Sequence, residues 1–343
     1  MRYDVTIGIP VYKAVDYIGK TLESALNQTY PNIEYLILDD CGDDGSMEIV
    51  KQLKKSHSRG GDFHILHNEH NCGVGMSRNR ILDEAKGDYL FFLDSDDIIE
   101  PDTIEKMIKA ARQYDAQVVY GSWERVDNVD HTPSQQHVYP LTLLLEPDNL
   151  ALYAFMNHST FWISVCNCLM NLDFIRKTHV RFLDTVFWED LAFTYEMVTH
   201  VSRAILLPTV TYHYLCRPGS LSHYTDREIL DKFEILRNVA TIDSLKKECA
   251  ALQGKRYLPF LCQNLEVSSF YIACYIIKHR SRIVPSISNN ELQQYMQHPL
   301  SLSAILHFSD RKWINIWFYM VSLLPNRLFI FLIKIIGKKK GVI

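Results

Sequence analysis

The sequence predicts an α/β fold, a mostly parallel sheet with helices on both faces, followed by a C-terminal helical region. Three observations carry this. Over the first 125 residues, short apolar runs rich in β-branched and aromatic residues alternate with stretches of helical spacing. The chain has 343 residues, 47% of them hydrophobic, enough to bury a sizeable core. After Asp226 the strand patterns give way to helical ones almost throughout. The expected organisation is therefore 1–225, with halves at about 1–125 and 126–225, and then 226–343.

Each element has a local reason. YDVTIGIP is a short apolar strand. YIGKTLESALNQ places Ile18, Leu22, Ala25 and Leu26 on one helical face. IEYLILDD is a second strand, and GSMEIVKQLKKS a helix with Ser46 as its expected N-cap. FHILHN is a third strand; GMSRNRILDEAKG is a helix that Gly87 should stop. DYLFFLD is a fourth strand, PDTIEKMIKAARQY a helix with Pro101 at its first position, and AQVVYGSW a fifth strand. From about Val126 to Pro140 the chain is polar and is expected to be an exposed loop.

Open parallel sheets bind ligands at the carboxyl ends of their strands. Here those ends carry IPVYK, Asp39 and Asp40, HNEHNCG, and the cluster Asp94, Ser95, Asp96 and Asp97. Asp-x-Asp after a buried strand suits a hard divalent cation held against a diphosphate. It also suits a solvated turn with Asp97 or Asp102 capping the next helix. A carboxylate at Asp39 or Asp40 can accept the N3–H of a uracil, and Tyr12 can stack on a base; the same acids fit a plain turn. CGVGMSRN lacks the third glycine of a dinucleotide fingerprint. Arg78 in it reads as a cation near phosphates or as a partner for the acid cluster. Glu189 and Asp190 open a helix in FWEDLAFTYEMV, where acids favour the dipole or where one serves as a general base. His213 and Arg217, in YHYLCRPGS, are diphosphate or metal contacts, or else a structural histidine and a surface arginine.

In this order, TIGIPVYKAVDYIGKTLESALNQTYPNIEYLILDDCGDDGS, NCGVGMSRNRILDEAKGDYLFFLDSDD, FWEDLAF and YHYLCRPGSLS resemble the family 2 glycosyltransferases of the GT-A fold, of the kind that builds bacterial polysaccharides. The likeness covers roughly two-thirds of the chain. Cys41-Gly42 stands where the family has Gly-Ser, and Lys13 where many members have Asn. The resemblance implies that Pro10 and Tyr12 line the nucleobase pocket and that Asp40 reads the uracil. Arg78, Asp94 and Ser95 would lie along the nucleotide, with Asp94 and Asp96 holding Mn2+ or Mg2+. Asp190 would be the base of an inverting displacement, and Glu189 would face the acceptor. The Gln-x-x-Arg-Trp motif of processive members is absent, which implies addition of one sugar. The competing readings are a haloacid-dehalogenase-type phosphatase with Asp94 as nucleophile and a non-catalytic sugar-nucleotide binding module.

Net charge is −4, which disfavours nucleic acid as a partner. After Ser309 there is one acid, Asp310, against seven basic residues, so this segment carries +6 and the remainder −10. RKWINIWFYMVSLLPNRLFIFLIKIIGKKK is broken by Pro325-Asn326-Arg327 and interrupted by Lys334, too short on either side to span a bilayer. Its aromatic and basic residues suit an anionic membrane surface, and a polyprenyl-linked glycan acceptor would fit that place. The alternative is a helix packed on the catalytic domain or in a homodimer. The start lacks a signal-peptide pattern, and the scattered cysteines read as free thiols, so the expected location is the cytoplasm, on the inner face of the membrane.

Overall fold

The structure is a computed structural model that describes residues 3–127, 133–185, 188–216 and 228–343. Chain order begins with β1 (Tyr3–Val11), α1 (Ile18–Leu26), β2 (Ile33–Asp39), α2 (Ser46–Ser56), β3 (Phe63–His67), α3 (Val74–Glu84), β4 (Gly87–Phe92), β5 (Ile98–Ile99), α4 (Thr103–Tyr114) and β6 (Val118–Val126). It continues with β7 (Pro133–His137), β8 (Thr142–Leu144), α5 (Asn149–Met156), β9 (Cys168–Asn171), α6 (Leu172–Thr178), α7 (Glu189–His200) and β10 (Ala204–Leu215). The remainder is β11 (Leu230–Asp231), α8 (Lys232–Glu248), α9 (Leu258–Lys278), β12 (Ile283–Val284), α10 (Asn289–Tyr295), α11 (Leu302–Leu306), α12 (Lys312–Ser322) and α13 (Asn326–Lys339). Two compact units result: Met1–Leu150, Trp162–Asp184 and Glu196–Ser220 form the first, and Ala151–Phe161, Thr185–Tyr195 and Leu221–Ile343 the second.

The first unit holds a sheet ordered β3-β2-β1-β4-β9-β6-β10-β5. β3, β2, β1 and β4 are mutually parallel, and β6 and β10 run the same way. β9 is antiparallel to both β4 and β6, so it joins two parallel halves whose carboxyl ends share one rim. Strands β1, β2 and β4 are almost wholly buried, which is why they read as unbroken apolar runs.

Four local expectations are corrected. Gly87 does not stop α3, which ends at Glu84; it opens β4, where a Cβ would lie 2.5 Å from the Thr6 backbone nitrogen. Pro101 precedes α4 by two residues. The start of α4 is held by Gln28, whose amide donates to Glu100 O at 2.7 Å and accepts from Ile104 N at 3.0 Å. Ser46 is the first residue of α2, not its cap; Asp44 Oδ1 accepts its N–H at 3.1 Å. The polar stretch after Val126 contains a strand, β7, that pairs antiparallel with the end of β6. Its Ser and Gln side chains give no apolar alternation, because an edge strand is held by its backbone.

In the second unit α9 is the core. It is long and apolar enough to cross a membrane, but 72% of its apolar window is buried inside the protein. Lys246 of α8 reaches the buried Glu266 of α9 at 2.8 Å and also donates to Tyr295 O and Gln297 O. Burial pushes Glu266 up to about 7, against the pull of Lys246. The tail is two helices, with Pro325 at the cap of the second. Both press one face inward: Asn315 donates to Pro259 O, and a Cβ on Gly337 would lie 3.0 Å from Cys274 Sγ. Their other faces expose Trp313 (79%), Leu323, Leu328 and Phe331 (60%). At 11 and 14 residues they reach about 16 and 21 Å, short of a roughly 30 Å hydrocarbon core.

Candidate active site

The rim is organised around the turn that follows β4. Leu93 N–H donates to Gly8 O, continuing the sheet, and Asp97 N–H donates to Asp94 O at 3.2 Å, closing a turn over Ser95 and Asp96. Gln28 and Thr29 then hold residues 100–104, so the turn is fixed on both sides. Asp94 and Asp96 are partly open to solvent, and Ser95 is buried with its carbonyl accepting from Thr21 Oγ1.

Asp97 is no helix cap. It is buried, accepting from Tyr212 Oη at 2.6 Å and from Leu215 N at 2.7 Å. It therefore anchors the end of β10 beneath the acid turn. Burial, reinforced by the charges of Asp96 and Asp94, raises its carboxyl well above the usual range. Sequence reasoning missed Tyr212 because its role depends on a strand more than a hundred residues away.

Arg78, on α3, is buried and donates to Asp94 Oδ1 at 2.8 Å. Its guanidinium lies beside the edge-to-face pair Phe92 and Phe182, at 6.0 and 5.7 Å from their ring centroids. Of the two readings of this residue, the geometry provides the acid-cluster partner. It neutralises one of the crowded carboxylates and orients it.

Asp40 lies at the end of β2. Its Oδ1 accepts from Asn68 Nδ2 at 2.7 Å and Cys72 N at 2.9 Å, and its Oδ2 from Gly73 N at 3.0 Å. Gly73 has φ +81, which favours glycine where its N–H turns toward the carboxylate. A carboxylate has about four acceptor positions, so Asp40 both pins the loop before α3 and retains capacity for one more donor. Pro10 is buried in β1, and Tyr12, just beyond that strand, is 41% exposed.

His213 is the structural histidine of its two readings. Its Nδ1 lies 2.7 Å from Glu124 and its Nε2 2.8 Å from Glu100, which leaves neither ring nitrogen for a metal or a diphosphate. Arg217 lies outside the described residues. Glu189 and Asp190 open α7 and belong to the second unit; the first is buried, the second partly open.

Among the described residues, no group of three or more His, Cys, Asp or Glu side chains is arranged to hold a metal ion by itself. The turn still fits a cation. Two partly exposed carboxylates stand there, and their charges add to the effect of burial in raising a third; a cation would relieve that crowding.

A mostly parallel sheet with helices on both faces and acids clustered at its carboxyl rim is the arrangement of the GT-A fold. Residues 6–177, half of the chain, match the model of Glycosyl transferase family 2, and the chain belongs to that family. It is 40% identical over 105 residues to Bacillus subtilis TuaG, named for teichuronic acid biosynthesis; the match takes in 31% of this chain and 40% of that protein. S. aureus TarS, solved with UDP, superposes with a TM-score of 0.63 at 15% identity over 98% of this chain and 92% of that one. The mannosyltransferase PcManGT from Pyrobaculum calidifontis, solved with GDP-Man and Mn2+, gives 0.53 at 15% identity over 94% and 86%. Family membership makes the chain a glycosyltransferase; it spans less than half the length of TuaG, for which the polysaccharide role is named.

Proposed function

We propose that this glycosyltransferase transfers one sugar from a nucleotide sugar, UDP-linked by preference, to a glycan or lipid-linked glycan acceptor with inversion at the anomeric carbon. The observation that supports this most is the acid turn: Asp94 and Asp96 outward, Asp97 buried beneath them, Arg78 clamped to Asp94. TarS was solved with UDP, which favours uridine for this chain. Asp40 retains the capacity to accept from a uracil, and Tyr12 is open enough to stack on it.

Mn2+ or Mg2+ held by Asp96 and Asp94 would neutralise the departing diphosphate; PcManGT, solved with Mn2+, favours such an ion. The chain's own residues do the rest. Arg78 holds Asp94 in one orientation, and the Asp97 anchor keeps the turn from collapsing outward. Asp190 takes the proton of the acceptor hydroxyl late in the step, when the hydroxyl has acidified. With the nucleophile opposite the leaving group, an α-linked donor gives a β-linked product.

The exposed apolar and basic tail is read as resting on an anionic inner membrane face, where a polyprenyl-linked acceptor would be presented. The test is Asp190→Asn, with UDP binding measured by calorimetry and transfer by product analysis. Unchanged binding with transfer down about a hundredfold or more is expected; near-normal turnover would refute the assignment.

A further inference from the structure

The acid turn ends β4, in the middle of the sheet order. On one side lie β1 and β2, whose ends carry Tyr12 and Asp40. On the other side lie β6, β7 and β10, and one face of these three strands has an unusual composition. Register places His137, Trp123 and Tyr212 in one cross-strand row, and Gln135, Arg125 and Tyr214 in the next. Tyr212, fully buried, belongs to this face and reaches Asp97, so the row it shares with Trp123 ends beneath the acid turn.

The aromatic rings are contiguous. Trp123 stacks on His137 at 5.7 Å, and Trp162 lies 4.2 Å from Trp123 and 5.8 Å from Tyr214. Trp162 is itself fixed: its backbone N–H donates to Tyr139 Oη at 2.9 Å and its Nε1 to Cys166 O at 3.1 Å. Cys166 Sγ in turn is 3.9 Å from Arg78 Nη2. Trp123, Trp162, Tyr214 and His137 all remain partly open to solvent. Beside them, on the same face, Gln135 is exposed, and Arg125 and Asp127 form an open ion pair at 2.8 Å.

We propose that this face binds a pyranose ring of the acceptor. A pyranose presents a C–H face that packs on aromatic rings and a rim of hydroxyls that pairs with planar polar side chains. The β6–β7–β10 face offers both within two adjacent rows, on the side of the acid turn away from Tyr12 and Asp40. An acceptor sugar stacked there would approach the turn from the side opposite the nucleotide. This rests on the sugar-transfer reading and adds to it the residues that grip the acceptor sugar.

The test uses the full-length protein and a panel of methyl α- and β-pyranosides and disaccharides of glucose, galactose, mannose and N-acetylglucosamine. Binding is read by saturation-transfer NMR and by tryptophan fluorescence. The wild type should bind a subset. Trp162→Leu should weaken that binding roughly tenfold, and Arg125→Ala with Gln135→Ala, both open side chains, about fivefold. UDP affinity serves as the check that the sheet is intact. Saccharide affinity equal in all variants overturns the proposal, as does failure of every saccharide to bind while UDP binds. Saccharide binding lost in the variants, with no donor binding in any protein, would refute the donor reading and leave this site standing.

Discussion

Arg78→Met isolates the charge at the centre of the rim, because methionine keeps a long side chain packed beside Phe92 and Phe182. Charges about 4 Å apart at an effective dielectric of 20 interact by about 4 kcal/mol. Arg78 is 3% exposed and Asp94 31%, so water screens one partner and the loss falls to roughly 2–3 kcal/mol. The two lost cation–π contacts, long at 6.0 and 5.7 Å, add roughly 1 kcal/mol together, which the thioether partly restores. Urea unfolding measures the difference. Repeated with Mn2+, it should show a larger stabilisation of the variant than of the wild type, since Asp94 would then stand uncompensated beside Asp96 and Asp97. A variant within about 0.5 kcal/mol of wild type, the scatter of an ordinary surface change, would refute the reasoning.

Asp97 holds its proton more tightly in the folded state than in the unfolded chain, so its contribution to stability is complete below the ordinary value of 3.8 and is lost as pH rises toward the folded value. Asp97→Asn, which keeps both hydrogen-bond partners if the Tyr212 hydroxyl turns to accept, should flatten the decline in unfolding free energy as pH rises above 3.8, and an unchanged pH profile would contradict this. Lys246→Met should cost about 3–5 kcal/mol at roughly pH 8 and less at roughly pH 6, because Glu266 can then take up a proton; equal costs at both would be inconsistent with the buried pair. Trp313→Ser with Phe331→Ser should reduce sedimentation with phosphatidylglycerol vesicles by roughly tenfold or more. Failure of the wild type to bind those vesicles would remove the membrane reading.

Five of the six strands and all four helices that begin in the first 125 residues were legible because buried parallel strands and amphipathic helices leave strong periodic signals; β5, two residues long and paired with β10, left none. The acid turn was legible for the same reason, standing at the end of the apolar run Tyr89–Leu93. β7 was not, since an edge strand of Ser and Gln has no apolar alternation to detect. The helix-capping role of Gln28 was hidden too: the carbonyl and N–H it binds lie more than seventy residues further along the chain.

By itself, then, the sequence determined the alternation of elements, the rim on which the acids gather and the charge contrast of the tail. All three depend on neighbours within a few residues or on composition. Tertiary structure alone decided what each acid does. Asp94 meets Arg78, Asp97 vanishes under Tyr212 and Leu215, Asp40 closes on the loop before α3, and His213 is shared between Glu124 and Glu100. Three carboxylates with identical chemistry differ only in the partners that distant segments deliver. Burial and pairing, which set the energy of a charge, are properties of those long-range contacts.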